Sequence, residues 1–204
     1  MFLLIWWYNV NKQIILASQS PRRKYLLSTI IGEEFIICKS NYEEDNKLNI
    51  NPIELAKKHA FGKANDVAKK FDSGIVIGGD VFVVLDGEVL GKPKDEEDAF
   101  LMLKKQQGKE TLVISGLAVI DIDNNKTYIE HEVTKLKMSK LNDDEILNYI
   151  NTKDPMDKAG SFGMQDKGGI LVEKVNGSYS NVVGLPLNKL HKIFRKIGIK
   201  IFDY

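Results

Sequence analysis

With 204 residues, the chain is long enough for one large domain or for two lobes around a cleft. Hydrophobic residues make up 43% and charged residues 28%, close to the globular average, which argues against disordered, collagen-like and rod-like proteins. The 29 Lys and Arg against 28 Asp and Glu leave a net charge of +1, so a large basic surface is excluded and neither nucleic acid nor a membrane is expected as a partner.

The domain organisation is predicted to be simple. Residues 1–12 form an N-terminal extension whose apolar start, MFLLIWWY, is too short to cross a bilayer, which takes about 20 residues. We interpret it as a segment that packs on a partner or frays. Residues 13–204 form a single domain, since no repeat or linker divides them. The chain has one cysteine and hence no internal disulfide, which favours a cytoplasmic location.

The first elements alternate between short apolar runs and capped helices. Residues 14–17 predict a strand, which a tight turn joins to a helix starting at Pro21. Residues 34–38 predict a second strand. The next helix begins at Pro52, and its apolar stripe continues to Phe71.

The rest of the chain is richer in strands. Residues 75–85 predict a long strand that Asp86-Gly87 turns into a hairpin with residues 88–90. Since hairpin partners must be antiparallel, the pattern predicts an α/β fold with a mixed sheet. The remaining predicted elements are a helix over 95–107, strands over 111–121 and 127–138, a helix ending at 151, two β-rich runs over 170–175 and 178–183, and a last helix from 186.

Residues 18–23, SQSPRR, form the first candidate site. The N-terminus of a helix presents free N–H groups and positive dipole charge, and Arg22 and Arg23 add two planar cationic groups. This pattern predicts an anion site in which Ser18 or Ser20 also contacts a phosphate or carboxylate. The alternative is that Ser20 only caps the helix while both arginines lie on the surface.

Asp80 is the second candidate, because it interrupts an apolar strand directly after Gly78-Gly79. A lone buried carboxylate is costly, so Asp80 must be protonated, paired with a cation or placed beside a cleft. Such a residue can act as a general base, and the glycines can let a ligand approach the backbone. The alternative is a local role in a turn.

Two weaker candidates lie further along the chain. Lys92, which precedes a proline after the hairpin, can place a cation beside a phosphate. Residues 154–165 predict an irregular loop near a site, and their Gln165 can both donate and accept hydrogen bonds to a base edge. Taken alone, each residue fits a solvated surface position better than a binding site.

Several blocks along the chain resemble, in family order, those of the Maf family of nucleoside triphosphate pyrophosphatases. The resemblance covers about residues 13–198. It implies hydrolysis of a nucleoside triphosphate to the monophosphate and pyrophosphate with Mg²⁺ or Mn²⁺, in a cleft between two lobes of an elongated α/β fold, often as a homodimer. The blocks are LASQSPRR at 16–23, GD at 79–80, LDGEVLGKP at 85–93, PMDKAG at 155–160, NGSY at 176–179 and VGLPL at 183–187.

The resemblance also implies roles for single residues. Asp80 stands where the family has its catalytic base, and Glu44 matches an acidic position that assists the metal together with Asp80. The physical chemistry agrees, because an attacking water needs a base and the leaving pyrophosphate needs cations. The phosphate-side positions of the family are matched by Ser18, Arg22, Arg23 and Lys92.

The residues on the base side indicate the substrate class. The family branch that acts on dTTP, UTP and related pyrimidines has an arginine at the position of Arg22 and a glutamine at that of Gln165. The 7-methyl-GTP branch has an aromatic residue and an acid there. The chain is similar to the pyrimidine branch, and hydrolysis of dTTP and UTP to clean the nucleotide pool is therefore expected.

Three departures from the branch leave alternatives open. Val81 replaces a threonine beside the catalytic acid, and His59-Ala60 is aligned with a Lys-Ala pair, for which Lys58 and Lys63 are the candidate compensating cations. Residues 107–111, QGKET, replace a Ser-Gly-Arg-Thr-His stretch. The alternatives are a catalytically weakened nucleotide-binding regulator of cell division and a pyrophosphatase with shifted base specificity.

Overall fold

The computed structural model describes residues 12–45 and 50–201. Of the predicted N-terminal extension, residues 1–11 therefore lie outside the described residues. Lys12 is described, and its ammonium pairs with Asp121 at 2.8 Å. Within the described ranges, no helix has the length and apolar character needed to span a membrane.

The described elements alternate between strands and helices as the sequence predicts. The strands are β1 (Ile14–Leu16), β2 (Ile36–Ile37), β3 (Ile75–Leu85), β4 (Glu88–Leu90), β5 (Glu110–Asp121), β6 (Lys126–Met138) and β7 (Val172–Asn176). The helices are α1 (Pro21–Ile31), α2 (Pro52–Ala68), α3 (Glu96–Gln106), α4 (Asp143–Asn151), α5 (Tyr179–Val183) and α6 (Leu187–Lys196).

The strands form one mixed sheet, which confirms the predicted α/β class. Its order is β2-β1-β3-β5-β6-β7, with β4 also beside β3. Strand β1 runs parallel to β2 and β3, whereas the pairs along β3, β5 and β6 are antiparallel. On one edge, β3 pairs with β1 at residues 75–77 and with β4 at residues 83–85. No strand of the described chain pairs with residues 78–82 on that edge, so the sheet is open at the middle of β3, where Asp80 lies.

Helices pack on both faces of the sheet and divide the molecule into two lobes. On one face, α1 and α6 cover the first half of β3, while α3 and α4 cover its second half. Helix α2 covers the opposite face along both halves. The opening in the sheet edge therefore lies between the lobes.

Two glycines set the distance between α2 and the sheet. A Cβ atom would lie 2.4 Å from the carbonyl oxygen of Ala60 if placed on Gly78, and 2.1 Å from that of Ala56 if placed on Gly116. Side chains there would push the helix off the sheet. The sequence predicts that Gly78 and Gly79 let a ligand approach the backbone. For Gly78 this is wrong, because helix α2 occupies the space beside it.

Two predicted segments have a different structure from the one expected. The β-rich run over 178–183 contains α5, because Ser178 caps it by accepting from the Asn181 N–H at 3.3 Å. The buried Asn181 amide donates to the Val113 carbonyl at 3.1 Å, which fixes the helix against β5. Residues 154–165 include 3₁₀ turns at Asp154–Asp157 and Ala159–Ser161, so this loop is more regular than predicted.

Candidate active site

A cleft opens at the gap beside β3 and receives side chains from both lobes. Its central space measures about 440 Å³, and a second space of about 440 Å³ continues it past the start of α1. A narrower pocket of about 40 Å³ lies beside it, toward the loop after α4. The predicted site residues that line these spaces are Ser18, Arg22, Arg23, Glu44, Asp80, Val81, Lys92 and Gln165.

Two carboxylates meet at one ammonium group in the centre of the cleft. The Nζ atom of Lys63 lies 2.6 Å from Oδ1 of Asp80 and 2.7 Å from Oε1 of Glu44. Asp80 is only 6% exposed, and it is paired with a cation, one of the three states that its sequence context allowed. Burial of Glu44 opposes its ionisation, but the hydrogen bond and charge of Lys63 outweigh this and hold its pKa below the ordinary value.

The position expected for His59 needs correction. His59 is fully buried, and its Nδ1 atom lies 3.0 Å from the hydroxyl of Tyr42. Its ring packs between those of Tyr42 and Phe82, with centroid distances of 5.7 and 5.9 Å. The residue in the cleft is Lys63, four positions later and followed by Ala64. Positions four apart share a helix face, so the spacing alone did not separate the two candidates.

Arg23 provides the buried cation at the start of α1. Its Nε donates to the Gly184 carbonyl at 2.9 Å, and its Nη1 donates to Oγ of Ser18 at 3.1 Å. Burial lowers the pKa of Arg23, although the charge of Asp80 opposes this, and an arginine stays protonated in either case. Its Nη2 has no hydrogen-bond acceptor among the described residues and is available to an anion. A Cβ on Gly79 would lie 3.2 Å from Nε, so this glycine makes room for the guanidinium.

Arg22 connects the two lobes across the cleft. Its Nη1 lies 3.1 Å from Oδ2 of Asp157, in the loop after α4. Burial raises the pKa of Asp157, but Lys158 and Arg22 outweigh it and leave the pKa below the ordinary value. Lys92 lies exposed on the cleft wall and has no ion-pair partner within the described ranges. The cleft thus holds cations from both sides of the gap.

The narrow pocket has apolar walls and one uncharged polar side chain with an amide. Val81, Phe162 and Met164 form part of its wall, Gln165 lies beside them, and the charged side chains of Arg22 and Lys158 complete the lining. The amide of Gln165 donates through Nε2 to Oδ2 of Asp166. Pockets with apolar walls and a few placed polar groups are typical of small-molecule sites.

The carboxylates in the cleft suit a divalent metal. Oδ2 of Asp80 is buried and has no hydrogen-bond partner in the described chain, so the carboxylate keeps an acceptor that a water or a cation entering the cleft would satisfy. Carboxylate oxygens are the ligands that Mg²⁺ prefers, and Mg²⁺ is commonly held by one or two of them with waters and substrate phosphates. No group of three metal-ligating side chains occurs among the described residues, so Asp80 and Glu44 would hold the ion together with such phosphates.

Lys63, Asp157 and Lys158 complete the site beyond the residues that the sequence singled out. Lys63 was considered only as a compensating cation. Asp157 and Lys158 belong to the PMDKAG block, whose opposite charges at adjacent positions were the available signal. Their contacts span sequence separations that no local pattern contains, such as the 135 positions between Arg22 and Asp157.

The comparisons with known proteins show the family of the chain. The model of the Maf family, described as "Maf-like protein", matches residues 13–197. A protein named dTTP/UTP pyrophosphatase from Methanosarcina mazei is 48% identical to this chain, over 94% of this chain and 98% of the relative. A protein of the same name from Dictyoglomus turgidum is 44% identical, over 94% of this chain and 100% of the relative. The fold is similar to that of the Staphylococcus aureus Ham1 protein, with a TM-score of 0.54 at 16% identity over 91% of this chain and 100% of that one. The chain belongs to the Maf family.

Proposed function

We propose that the chain hydrolyses dTTP, UTP and related nucleoside triphosphates to the monophosphate and pyrophosphate. The observation that best supports this proposal is that Asp80 lies opposite the arginines of α1 in a single cleft. The names of the relatives, dTTP/UTP pyrophosphatase, support the same substrates.

The residues divide the reaction between them. Oδ2 of Asp80 takes a proton from the attacking water, while Lys63 holds the other oxygen of the same carboxylate. The water oxygen bonds to phosphorus as the anhydride bond between the α and β phosphates breaks, and pyrophosphate leaves toward Arg23 and Lys92. These cations balance the charge that develops on the leaving group. A divalent ion held by Asp80 and Glu44 would neutralise further phosphate charge.

The narrow pocket supports a pyrimidine base. It is narrower than the central space, and Arg22 and Val81 line both, so a base in it would continue directly from phosphates in the centre of the cleft. Gln165 offers both a donor and an acceptor to the edge of the base, and Val81 offers an apolar wall where the branch has a threonine.

One argument for the alternative, a nucleotide-binding regulator with weakened catalysis, no longer applies. That alternative drew on a histidine in place of the helix lysine, whereas Lys63 supplies a permanent cation beside Asp80. Val81 remains a departure, and it bears on base preference rather than on the hydrolytic groups.

The finer properties of the enzyme are also part of the proposal. The ion is Mg²⁺ or Mn²⁺, in keeping with an all-oxygen donor set. A homodimer is expected from the family resemblance, and a cytoplasmic location from the single cysteine. Light scattering of the purified chain and activity with each metal after chelation test the first two.

Asp80→Asn tests the reaction directly. The amide cannot accept the proton of the attacking water, so we expect release of pyrophosphate from dTTP and UTP to fall by at least about 100-fold, within the usual contribution of a general base. Circular dichroism should show an unchanged fold. Asp72→Asn, an exposed change of the same kind, is the control. Near-normal turnover of Asp80→Asn would remove this residue from the mechanism.

A further inference from the structure

The contact between Gln165 and Asp166 fixes the direction of an amide at the narrow pocket. Nε2 of Gln165 donates to Oδ2 of Asp166. A carboxylate only accepts hydrogen bonds, so the NH₂ end of the amide must face Asp166. The carbonyl oxygen of Gln165 is then directed away from Asp166.

The Asp166 carboxylate, whose side chain is 44% exposed, lies beside a buried ammonium group. Its Oδ2 lies 3.6 Å from Nζ of Lys158. Its backbone N–H donates to the Gly163 carbonyl at 3.2 Å, and its own carbonyl accepts from the Gly169 N–H at 3.0 Å. A Cβ on Gly163 would lie 2.3 Å from Cε of Lys158 and 3.2 Å from Oδ2 of Asp166. The missing side chain at Gly163 thus lets this ion pair form beside the pocket.

Gln165 is the uncharged polar side chain on the wall of this pocket, and it offers a base both a donor and an acceptor. The two charged side chains on the wall have acidic partners, since Arg22 pairs with Asp157, and Lys158 with Asp154 and Asp157. The other wall residues are apolar side chains or glycine. The direction of the Gln165 amide therefore decides which base edge the pocket complements.

Uracil and thymine, which carry a keto group at position 4, require the opposite orientation of the Gln165 amide from cytosine, which carries an amino group there. Uracil and thymine present an N–H donor at N3 beside a carbonyl acceptor at position 4. Cytosine presents an acceptor at N3 beside an amino donor. A freely turning glutamine binds either edge by rotating its amide by half a turn, whereas a glutamine whose NH₂ end contacts a carboxylate favours one of the two directions.

We propose that Asp166 is a specificity-determining residue that acts through Gln165. By holding the NH₂ end of that amide, it directs the carbonyl oxygen to the N3 donor of uracil or thymine and disfavours cytosine. This inference rests on the proposed function, since it assumes that the narrow pocket receives the base.

Asp166→Asn is the sharpest test, because asparagine keeps the shape of the side chain but can accept from or donate to Gln165. The glutamine amide is then free to take both directions. A correctly paired base edge is worth about 1–3 kcal/mol of discrimination, so we expect the ratio of kcat/KM for UTP over CTP to fall by about tenfold. Most of the fall should come from faster hydrolysis of CTP, which a merely structural defect would not produce.

The controls separate specificity from general damage. Asp72→Asn should keep the wild-type ratio, and Gln165→Ala should lose discrimination to a similar extent as Asp166→Asn. Calorimetric affinities for UMP and CMP give the same ratio without turnover. A wild-type ratio near one, or an Asp166→Asn ratio equal to that of the wild type in both assays, would overturn the inference.

The two proposals fail in different ways. If the wild-type protein releases no pyrophosphate from any nucleotide, the proposed function falls. The UMP and CMP affinities still decide the role of Asp166 in that case. If hydrolysis occurs but Asp166→Asn leaves the preference unchanged, only the role of Asp166 falls.

Discussion

Asp80 and Glu44 are stable at the centre of the cleft because both contact the ammonium group of Lys63. Taking a carboxylate out of water costs several kcal/mol unless an opposite charge compensates it. Lys63, whose side chain is 14% exposed, provides that charge for both residues. The same ammonium keeps Oδ1 of Asp80 occupied, which leaves Oδ2 as the reactive oxygen.

Lys63→Met tests this compensation through pH. The pKa of Glu44 is held below its ordinary value, so the contact stabilises the fold at neutral pH and is lost as pH falls through the folded pKa. Without Lys63, burial raises that pKa. We expect the variant to be less stable than wild type at pH 7.5, with the gap in free energy of unfolding narrowing by pH 4.5.

Urea denaturation at pH 7.5 and pH 4.5 measures the difference in free energy of unfolding between Lys63→Met and the wild type. Lys63→Arg, which keeps the charge, is the matched control and should lose far less stability. A gap of the same size at both pH values would contradict the role of Lys63 as a shared counter-charge.

Helix α2 positions the segment that carries Glu44. The hydroxyl of Tyr42 contacts His59, and the Asn41 N–H donates to Oδ2 of Asp66 at 2.8 Å. This backbone hydrogen bond is the main cause that lowers the pKa of Asp66. The contacts follow the helical spacing of one face, so the segment lies along the helix and brings Glu44 to the cleft.

Gly62→Ala tests this anchoring. Alanine is the better helix former by about 1 kcal/mol, yet a Cβ here would lie 2.3 Å from the ring of Tyr42. The ring must move, and the segment bearing Glu44 moves with it. We expect kcat/KM for UTP to fall by roughly tenfold, a loss of about 1.4 kcal/mol of transition-state stabilisation, with little loss of helix content.

A double-mutant cycle with Tyr42→Ala identifies the cause. Once the ring is absent, adding Gly62→Ala should change kcat/KM by less than about twofold, since the two changes act through one contact. A full tenfold loss in the Tyr42→Ala background would show that the glycine acts by another route.

At the scale of the whole molecule, the loop after α4 connects the two lobes. Lys158 is buried and contacts Asp154 and Asp157, at 3.0 and 2.7 Å. The other oxygen of Asp157 accepts from Arg22 in the opposite lobe. One buried ammonium thus organises the loop that closes the cleft and carries Gln165.

Lys158→Met should change how stability depends on pH. Burial opposes ionisation of Asp154 and Asp157, but hydrogen bonds from Tyr149 and Lys158 to Asp154 and the cations beside Asp157 leave both pKa values below the ordinary one. The folded protein therefore binds fewer protons than the unfolded chain in acid, and its stability falls as pH drops below about 5. Without the ammonium, we expect this fall to become shallower.

Unfolding free energies at pH 7, 5 and 4 measure the slope. Lys167→Met, an exposed change in the same loop, should keep the wild-type slope. Parallel curves for Lys158→Met and the wild type would show that Lys158 does not lower these pKa values.

Local patterns predicted most of the elements and part of the site. The caps at Ser20, Asn51 and Asn142 accept hydrogen bonds from their helices, as their sequence contexts indicate. The run over 178–183 is different, because a short apolar segment suits a strand or a helix equally until its neighbours are known. The NH₂ group of its buried Asn181 donates to Val113 in β5 and to Thr134 in β6, which lie far away in sequence.

The sequence by itself determined most of the elements, the mixed sheet and the acidic and cationic groups that the chemistry needs, because capping, strand alternation and charge are properties of neighbouring residues. Only the tertiary structure decided that Lys63 rather than His59 faces Asp80, that Gly78 makes room for a helix, and that Asp157 pairs with Arg22. Each of these depends on which surfaces pack together, and residues on one face of a helix or loop become distinct only when one of them is buried.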